Sequence, residues 1–194
     1  MTIVKVKSTK RELILSEAAK LFKEKGFGGS SMRDLAEKVG IEAASMYNHI
    51  RSKDEILEEI CFSVGRKYDE QLTEIDKKEI SYSKKVEALI AFHVQMIIED
   101  GNAVSVLNND WKFLNSEKMI EFKAMRNEYE KHFASLITKG IEDGSFKPVN
   151  VSVALFTILS SLRWVELWYK PSRGVTKEDL AKDISAILMN GVKA

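Results

Sequence analysis

Ser31-Met-Arg-Asp-Leu-Ala-Glu-Lys-Val-Gly40-Ile41-Glu-Ala-Ala-Ser-Met-Tyr-Asn-His-Ile50 is the stretch whose reading decides the fold of this chain. Its first four residues make a capping box: the serine hydroxyl takes the amide three residues on, and the acidic side chain returns to the serine amide. Leu35, Ala36 and Val39 recur at helical spacing until Gly40, a residue that ends helices in the left-handed conformation. A second short helix follows over about 42–50. Two short helices joined by a glycine-bearing turn are the plan of a helix-turn-helix. Ile41 is placed to enter a small core with Leu35, Ala36, Met46 and Ile50. The other face of the second helix offers Glu42, Ala43, Ala44, Ser45, Tyr47, Asn48 and His49. Small residues at its start allow close approach to base edges, and the three after Met46 carry hydrogen-bonding groups for phosphates or bases.

Working outward, Thr9-Lys-Arg-Glu12 is another capping box, and Leu13, Ala18, Leu21 and Phe22 follow at helical spacing until Gly26. Gly26-Phe-Gly-Gly29 is a turn. On the other side, Ser52-Lys-Asp-Glu55 opens a longer helix that continues toward Ile75. Lys53 and that helix N-terminus together suit a phosphate. The expected division is a three-helix head over 1–53 and a larger helical domain over 54–194. Charge supports it. Net charge over 194 residues is only +1, but residues 1–53 hold 11 Lys/Arg against 6 Asp/Glu. The basic end is the electrostatic candidate for phosphate contact, although charge alone also fits a solvated surface.

The rest of the chain predicts helices and nothing else. Val86, Leu89, Ile90, His93, Val94 and Ile97 make one apolar face, punctuated at Gly101 before a shorter segment from Val104 to Leu114. Further helices are expected over about 117–142, 151–169 and, capped by Thr176, 176–190, with Pro171 and Gly174 ending the middle one. The fold class is all-α. The first residues lack a signal peptide's apolar run, and the stretch from Val153 to Trp168 is interrupted by Arg163 and Glu166, so the expected location is cytoplasmic with no membrane partner. Cys61 has neither a disulfide partner nor zinc spacing and reads as packing. No cofactor or metal is expected. The histidines are dispersed and no catalytic motif occurs, which sets aside enzyme chemistry; the remaining alternatives are an all-α enzyme with a hidden site and a helical interaction module without DNA binding.

At this point the sequence resembles the TetR family of bacterial transcription regulators. The match runs through Arg11-Glu-Leu-Ile-Leu, Ala18-Ala19, Leu21-Phe22, Gly26-Phe27, Ser31 to Ala36, Gly40-Ile41, Tyr47-Asn-His-Ile50 and Lys53. The resemblance implies a ligand-responsive DNA-binding repressor that leaves a palindromic double-stranded operator when a small inducer binds. It puts Tyr47 and Lys53 where the family grips phosphates, and Ser31, Arg33 and residues 42–49 where it docks and reads DNA. Glu42 and Ala43 depart from the small hydroxyl and basic residue often found there. Glu42 is expected to cap its own helix, with acceptance from cytosine N4 as the other option. Ile50 replaces a frequent aromatic.

By the same resemblance the last two helices form a four-helix bundle with those of a second subunit, making a homodimer. Leu155, Leu159, Leu162, Ile184 and Leu188 are the candidate interface, with intrachain packing as the alternative for several. Ser161-Leu-Arg-Trp-Val-Glu-Leu-Trp-Tyr-Lys-Pro171 resembles the tryptophan-rich end of the penultimate helix in TetR-type repressors of fatty-acid and sterol breakdown, several of which sense acyl-CoA thioesters. A largely apolar inducer, a fatty acid or acyl-CoA, is therefore the expectation. Candidate ligand contacts are His93, Met96, Asn108, Trp111, Phe113, Met125, Tyr129, Phe133, Trp164 and Trp168, with core packing the ordinary role of such residues.

Overall fold

The computed structural model describes residues 9–170, 172 and 174–192. Every regular element among them is helical: α1 (Lys10–Lys25), α2 (Met32–Val39), α3 (Ala43–Met46), α4 (Lys53–Asp76), α5 (Tyr82–Asn109), α6 (Ser116–Glu142), α7 (Val151–Trp168) and α8 (Lys177–Asn190), with one 3-10 turn at Trp111–Phe113. The expected stop at Pro171 lies outside the described residues. The chain condenses into two compact units. The first runs to Ser63 and takes up Asn102–Ile120; the second comprises Val64–Gly101 and the chain from Glu121 on. The packing boundary thus differs from the expected division after Lys53, because Ile56, Leu57 and Ile60 of α4 are buried and belong to the same unit as α1 to α3.

In the first unit, local chemistry sets each helix end. The Thr9 amide donates to Glu12 Oε2 at 2.8 Å and the Glu12 amide to Thr9 Oγ1 at 3.2 Å. The Ser31 amide donates to Asp34 Oδ2 at 2.9 Å and the Asp34 amide to Ser31 Oγ at 3.1 Å. Bonds from Ser31 and from the Lys25 ammonium hold the exposed Asp34 carboxyl down at about 2. Gly40 ends α2 at φ 70, ψ 39, and Ile41 then donates to the Ala36 carbonyl at 3.0 Å. A side chain at Gly40 would meet the left-handed penalty, which is why glycine stands here. Ile14, Ala18, Leu21, Phe22, Leu35, Ala36, Met46 and Ile50 are buried beneath these helices.

In the second unit, apolar stripes from α4 to α8 supply the core, including Leu72, Leu89, Ile90, Phe133, Leu136, Leu155, Ile158 and Leu162. Two glycines permit close approach. A Cβ on Gly65 would fall 2.2 Å from Met125 Cε, and one on Gly140 would fall 2.3 Å from the Phe146 ring. Helix α5 is two helical segments that meet at a kink at Asp100 (φ −135, ψ 36), one residue before the punctuation expected at Gly101. At the end of α4, Asp76 accepts from Lys85 Nζ at 2.9 Å and pairs with His132 Nε2 at 3.1 Å. Burial pushes the Asp76 carboxyl up, but bonds to His132 and Lys85 outweigh it and hold it below the usual range.

Candidate functional site

The third helix is a single turn, shorter than the expected 42–50, and residues 47–49 form turns after it. Asn48 donates to the Ser45 carbonyl at 3.2 Å and His49 to the Met46 carbonyl at 2.9 Å, three residues back rather than four. The His49 carbonyl, which a longer helix would use, accepts from Arg11 Nη1 at 2.5 Å. Arg11 also binds Glu55 Oε1 at 2.8 Å and Glu59 Oε2 at 2.5 Å, so one guanidinium ties α1 to the end of the α3 turn and to α4. These charge-assisted bonds outrank one more intrahelical bond. Sequence reasoning quoted Arg11 only as part of a motif; its role appears once residues 38 to 48 positions apart meet.

Met46 and Ile50 point into the core, and Glu42, Ala43, Ala44, Ser45, Tyr47, Asn48 and His49 are all exposed. Tyr47, a large aromatic, is 56% exposed. Ser31 and Arg33 are exposed at the start of α2, and Arg33 has no ion pair among the described residues. The surface is therefore a small, low-relief patch with a phenol, an amide and an imidazole beside a guanidinium. Two expectations are corrected. Glu42 holds the N-cap position of α3 with the extended backbone usual there, but its exposed side chain makes no capping bond. Lys53 does not present a solvated ammonium: Nζ donates to the Phe27 carbonyl at 2.8 Å and the Ser30 carbonyl at 2.7 Å.

The ligand candidates separate. In the second unit, His93 Nε2 and the Tyr129 hydroxyl share a hydrogen bond of 2.7 Å, whose direction follows the tautomer. Tyr68 stacks on His93 at 4.2 Å between centroids, and Tyr129 meets Phe133 edge-on at 6.2 Å. Burial pushes the His93 ring down to about 4, so it is neutral at pH 7, and burial raises the Tyr68 and Tyr129 phenols. The residue missed here is Tyr68, which stands 25 positions from the ring it stacks on. Met96 is buried, and Met125 fills the notch at Gly65. Asn108, Trp111 and Phe113 belong instead to the first unit, where Phe113 stacks on Phe27 at 5.6 Å. An open groove of about 550 Å3 lies between α5 and α8, lined by Ala88, Ala91, Ala181 and Ala186 with Lys84, Lys182 and Glu87.

Helix α7 is apolar on two sides. Leu155, Ile158, Leu162 and Val165 are buried, so Leu155 and Leu162 are core rather than free interface residues. Val153, Phe156, Trp164, Leu167 and Trp168 remain exposed, and on α8 Ile187 is 73% exposed. Spacings of three, eight and three residues put Val153, Phe156, Trp164 and Leu167 on one stripe of the helix. The candidate ligand contacts Trp164 and Trp168 thus lie on the exposed part of α7 and outside the core. By length and composition alone α7 would also cross a membrane.

Residues 14–60 match the profile of bacterial regulatory proteins of the tetR family, and residues 79–192 match that of the tetracyclin repressor-like C-terminal domain. This chain belongs to the TetR family. It is a DNA-binding transcriptional regulator, not an enzyme. The transcriptional repressor KstR2 of Rhodococcus jostii is 29% identical over 189 residues, spanning 96% of this chain and 92% of that protein. The solved ketosteroid regulator KstR2 of Mycobacterium tuberculosis superposes with a TM-score of 0.91 at 20% identity over 100% of both chains. AibR in complex with isovaleryl coenzyme A and operator DNA gives 0.83 at 22% identity, over 93% of this chain and 98% of that one. These two structural likenesses speak for the fold of the regulator.

Proposed function

We propose that this regulator is a homodimeric repressor that occupies a palindromic operator through two copies of its head and leaves it when an apolar, anionic inducer binds the second unit. The observation that carries the reading is the exposed patch of α3: every residue from Glu42 to His49 except Met46 faces solvent, and small residues lead it. In the DNA complex, Ala43, Ala44 and Ser45 let the backbone approach the major groove, Asn48 and His49 meet base edges, and Tyr47 and Arg33 meet phosphates. Ser31 is engaged in its own capping box and supports α2. Two such heads address successive major grooves when set about 34 Å apart.

The second copy is called for by α7. A helix apolar on both sides needs cover on both, and the chain supplies it for one. Leu159 on α7 and Ile184 and Leu188 on α8 are half-buried. That the other side packs in the core favours a protein partner over a bilayer, which would surround the helix.

For the inducer, KstR2 is named for ketosteroids and AibR was solved with isovaleryl coenzyme A, the first an apolar ring body and the second an apolar acyl group on an anionic phosphate-bearing carrier. The alanine-lined groove suits an apolar acyl or ring body, Lys84 and Lys182 outnumber Glu87 among its charged groups, and its volume is in the range of small-molecule sites. The buried His93–Tyr129 pair offers polar partners to an inducer that opens the ring cluster. The ligand works as a switch only if it binds the DNA-incompetent state more tightly.

The test begins with duplexes enriched by the wild-type protein from a random-sequence pool. Enrichment of a palindrome, and its release by one chain-length class in a panel of acyl-CoAs and steroid acids, is the expected result. No enrichment removes the repressor reading in favour of an interaction module. Enrichment with no release by any compound removes the inducer alone.

A further inference from the structure

We infer that Lys53, Asp110 and Phe113 are positioning residues for DNA binding, which together clamp the turn between α1 and α2 and so fix the angle at which α3 is presented. The inference rests on the reading of α3 as the DNA face and adds residues that do not themselves belong to that face.

The clamped object is Phe27, the second residue of the Gly26–Ser30 turn. Its peptide is held from both ends: the amide donates to Asp110 Oδ1 at 3.5 Å, and the carbonyl accepts from Lys53 Nζ at 2.8 Å. Its ring has three further neighbours. Lys53 Nζ lies 4.3 Å from the ring centroid, Phe113 stacks at 5.6 Å and 30°, and Phe22 of α1 meets it edge-on at 5.3 Å. Lys53 adds a bond to the Ser30 carbonyl, one residue before the cap of α2. The first turn of α4 and the segment that follows α5 therefore converge on the Gly26–Ser30 turn, and all partners lie in one compact unit.

Two of these features would otherwise be unexplained. Asp110 is a carboxylate only 7% exposed, raised by burial, in a place where an apolar residue would cost less. Phe113 is a phenylalanine 45% exposed, and its ring finds apolar cover on Phe27. For Lys53 the geometry assigns a task different from phosphate binding. Two of its three N–H groups are spent on carbonyls, and a lysine so engaged is held in place rather than free to follow a phosphate.

The two roles of Lys53 differ in salt dependence. Each phosphate contact contributes about 0.9 to the slope of log affinity against log salt, whereas a residue that orients the reading helix changes affinity and leaves the slope intact. The experiment measures binding to the wild-type-selected duplex from 50 to 300 mM salt for wild type, Lys53→Met, Phe113→Ala and Phe113→Leu, with circular dichroism and thermal midpoints alongside. Loss of an aromatic pair predicts affinity about three- to tenfold weaker in Phe113→Ala, with helix content kept and partial recovery in Phe113→Leu. Lys53→Met is expected to weaken binding at an unchanged slope. If Lys53→Met lowers the slope by about one phosphate, Lys53 is a phosphate ligand and the clamp fails. If Phe113→Ala binds as wild type does, the clamp fails as well. Both outcomes leave α3 as the DNA face; only a wild-type protein that enriches no duplex would remove that reading too.

Discussion

Helices α3 and α7 both expose a surface that no described residue covers, and they do so in opposite ways. The four residues of α3 and the turn after it expose small and hydrogen-bonding groups that water satisfies until a nucleic acid replaces it. The 18 residues of α7 expose tryptophan, phenylalanine and leucine, which water does not satisfy. The first surface is built for a partner that comes and goes, with affinity set by salt; the second is built for one that stays.

The comparison breaks most readily at α7. Trp164→Asp combined with Leu167→Asp places two carboxylates on the apolar stripe, and dimerisation is expected to weaken by at least about a thousandfold, as loss of a central interface anchor pair does. Sedimentation equilibrium reads this directly. Dimers of unaltered affinity would mean that the stripe faces something else.

A somewhat smaller effect separates the core beneath α7 from the reading head. Burial depresses His93 from its ordinary 6.5 to about 4. The unfolded chain therefore takes up a proton at a pH where the folded chain resists it. Stability is full above pH 6.5 and falls progressively toward pH 4, by at most about 3 kcal/mol. Urea melts across that range check it, and His93→Gln should remove most of this slope. An unchanged slope in the variant would assign the acid sensitivity to other groups.

The smallest effect is at α3. Tyr47→Phe removes one exposed hydroxyl, so stability should hold while operator affinity falls about fivefold, the worth of one hydrogen bond near 1 kcal/mol. Equal affinity for the two proteins would take the Tyr47 hydroxyl off the phosphate backbone.

How much of this was legible in the sequence follows from the range over which each interaction acts. The capping boxes at Thr9 and Ser31, the N-cap at Thr176 and the left-handed Gly40 involve residues within three or four positions, and reading along the chain finds them. Lys53 was expected at a phosphate because a lysine beside a helix start carries no mark of the carbonyls 23 and 26 residues away that occupy it. Glu42 occupies a capping position without capping, since an acidic residue there is a preference and solvent competes for it. The aromatic candidates were drawn from one apolar set, yet Phe113 and His93 belong to different compact units.

The sequence by itself determined an all-helical chain, the order of its helices and a helix-turn-helix with Tyr47, Asn48 and His49 outward, because periodicity, caps and glycine conformations are local physical chemistry. The tertiary structure decided which apolar side of α7 is core, leaving Trp164 and Leu167 outside while Leu155 and Leu162 go in. It also decided that Arg11 and Lys53 hold the head together, and that Tyr68 stacks on His93. Burial and pairing across tens of residues are properties of packing, and two apolar faces of one helix are equivalent until the neighbouring helices cover one of them.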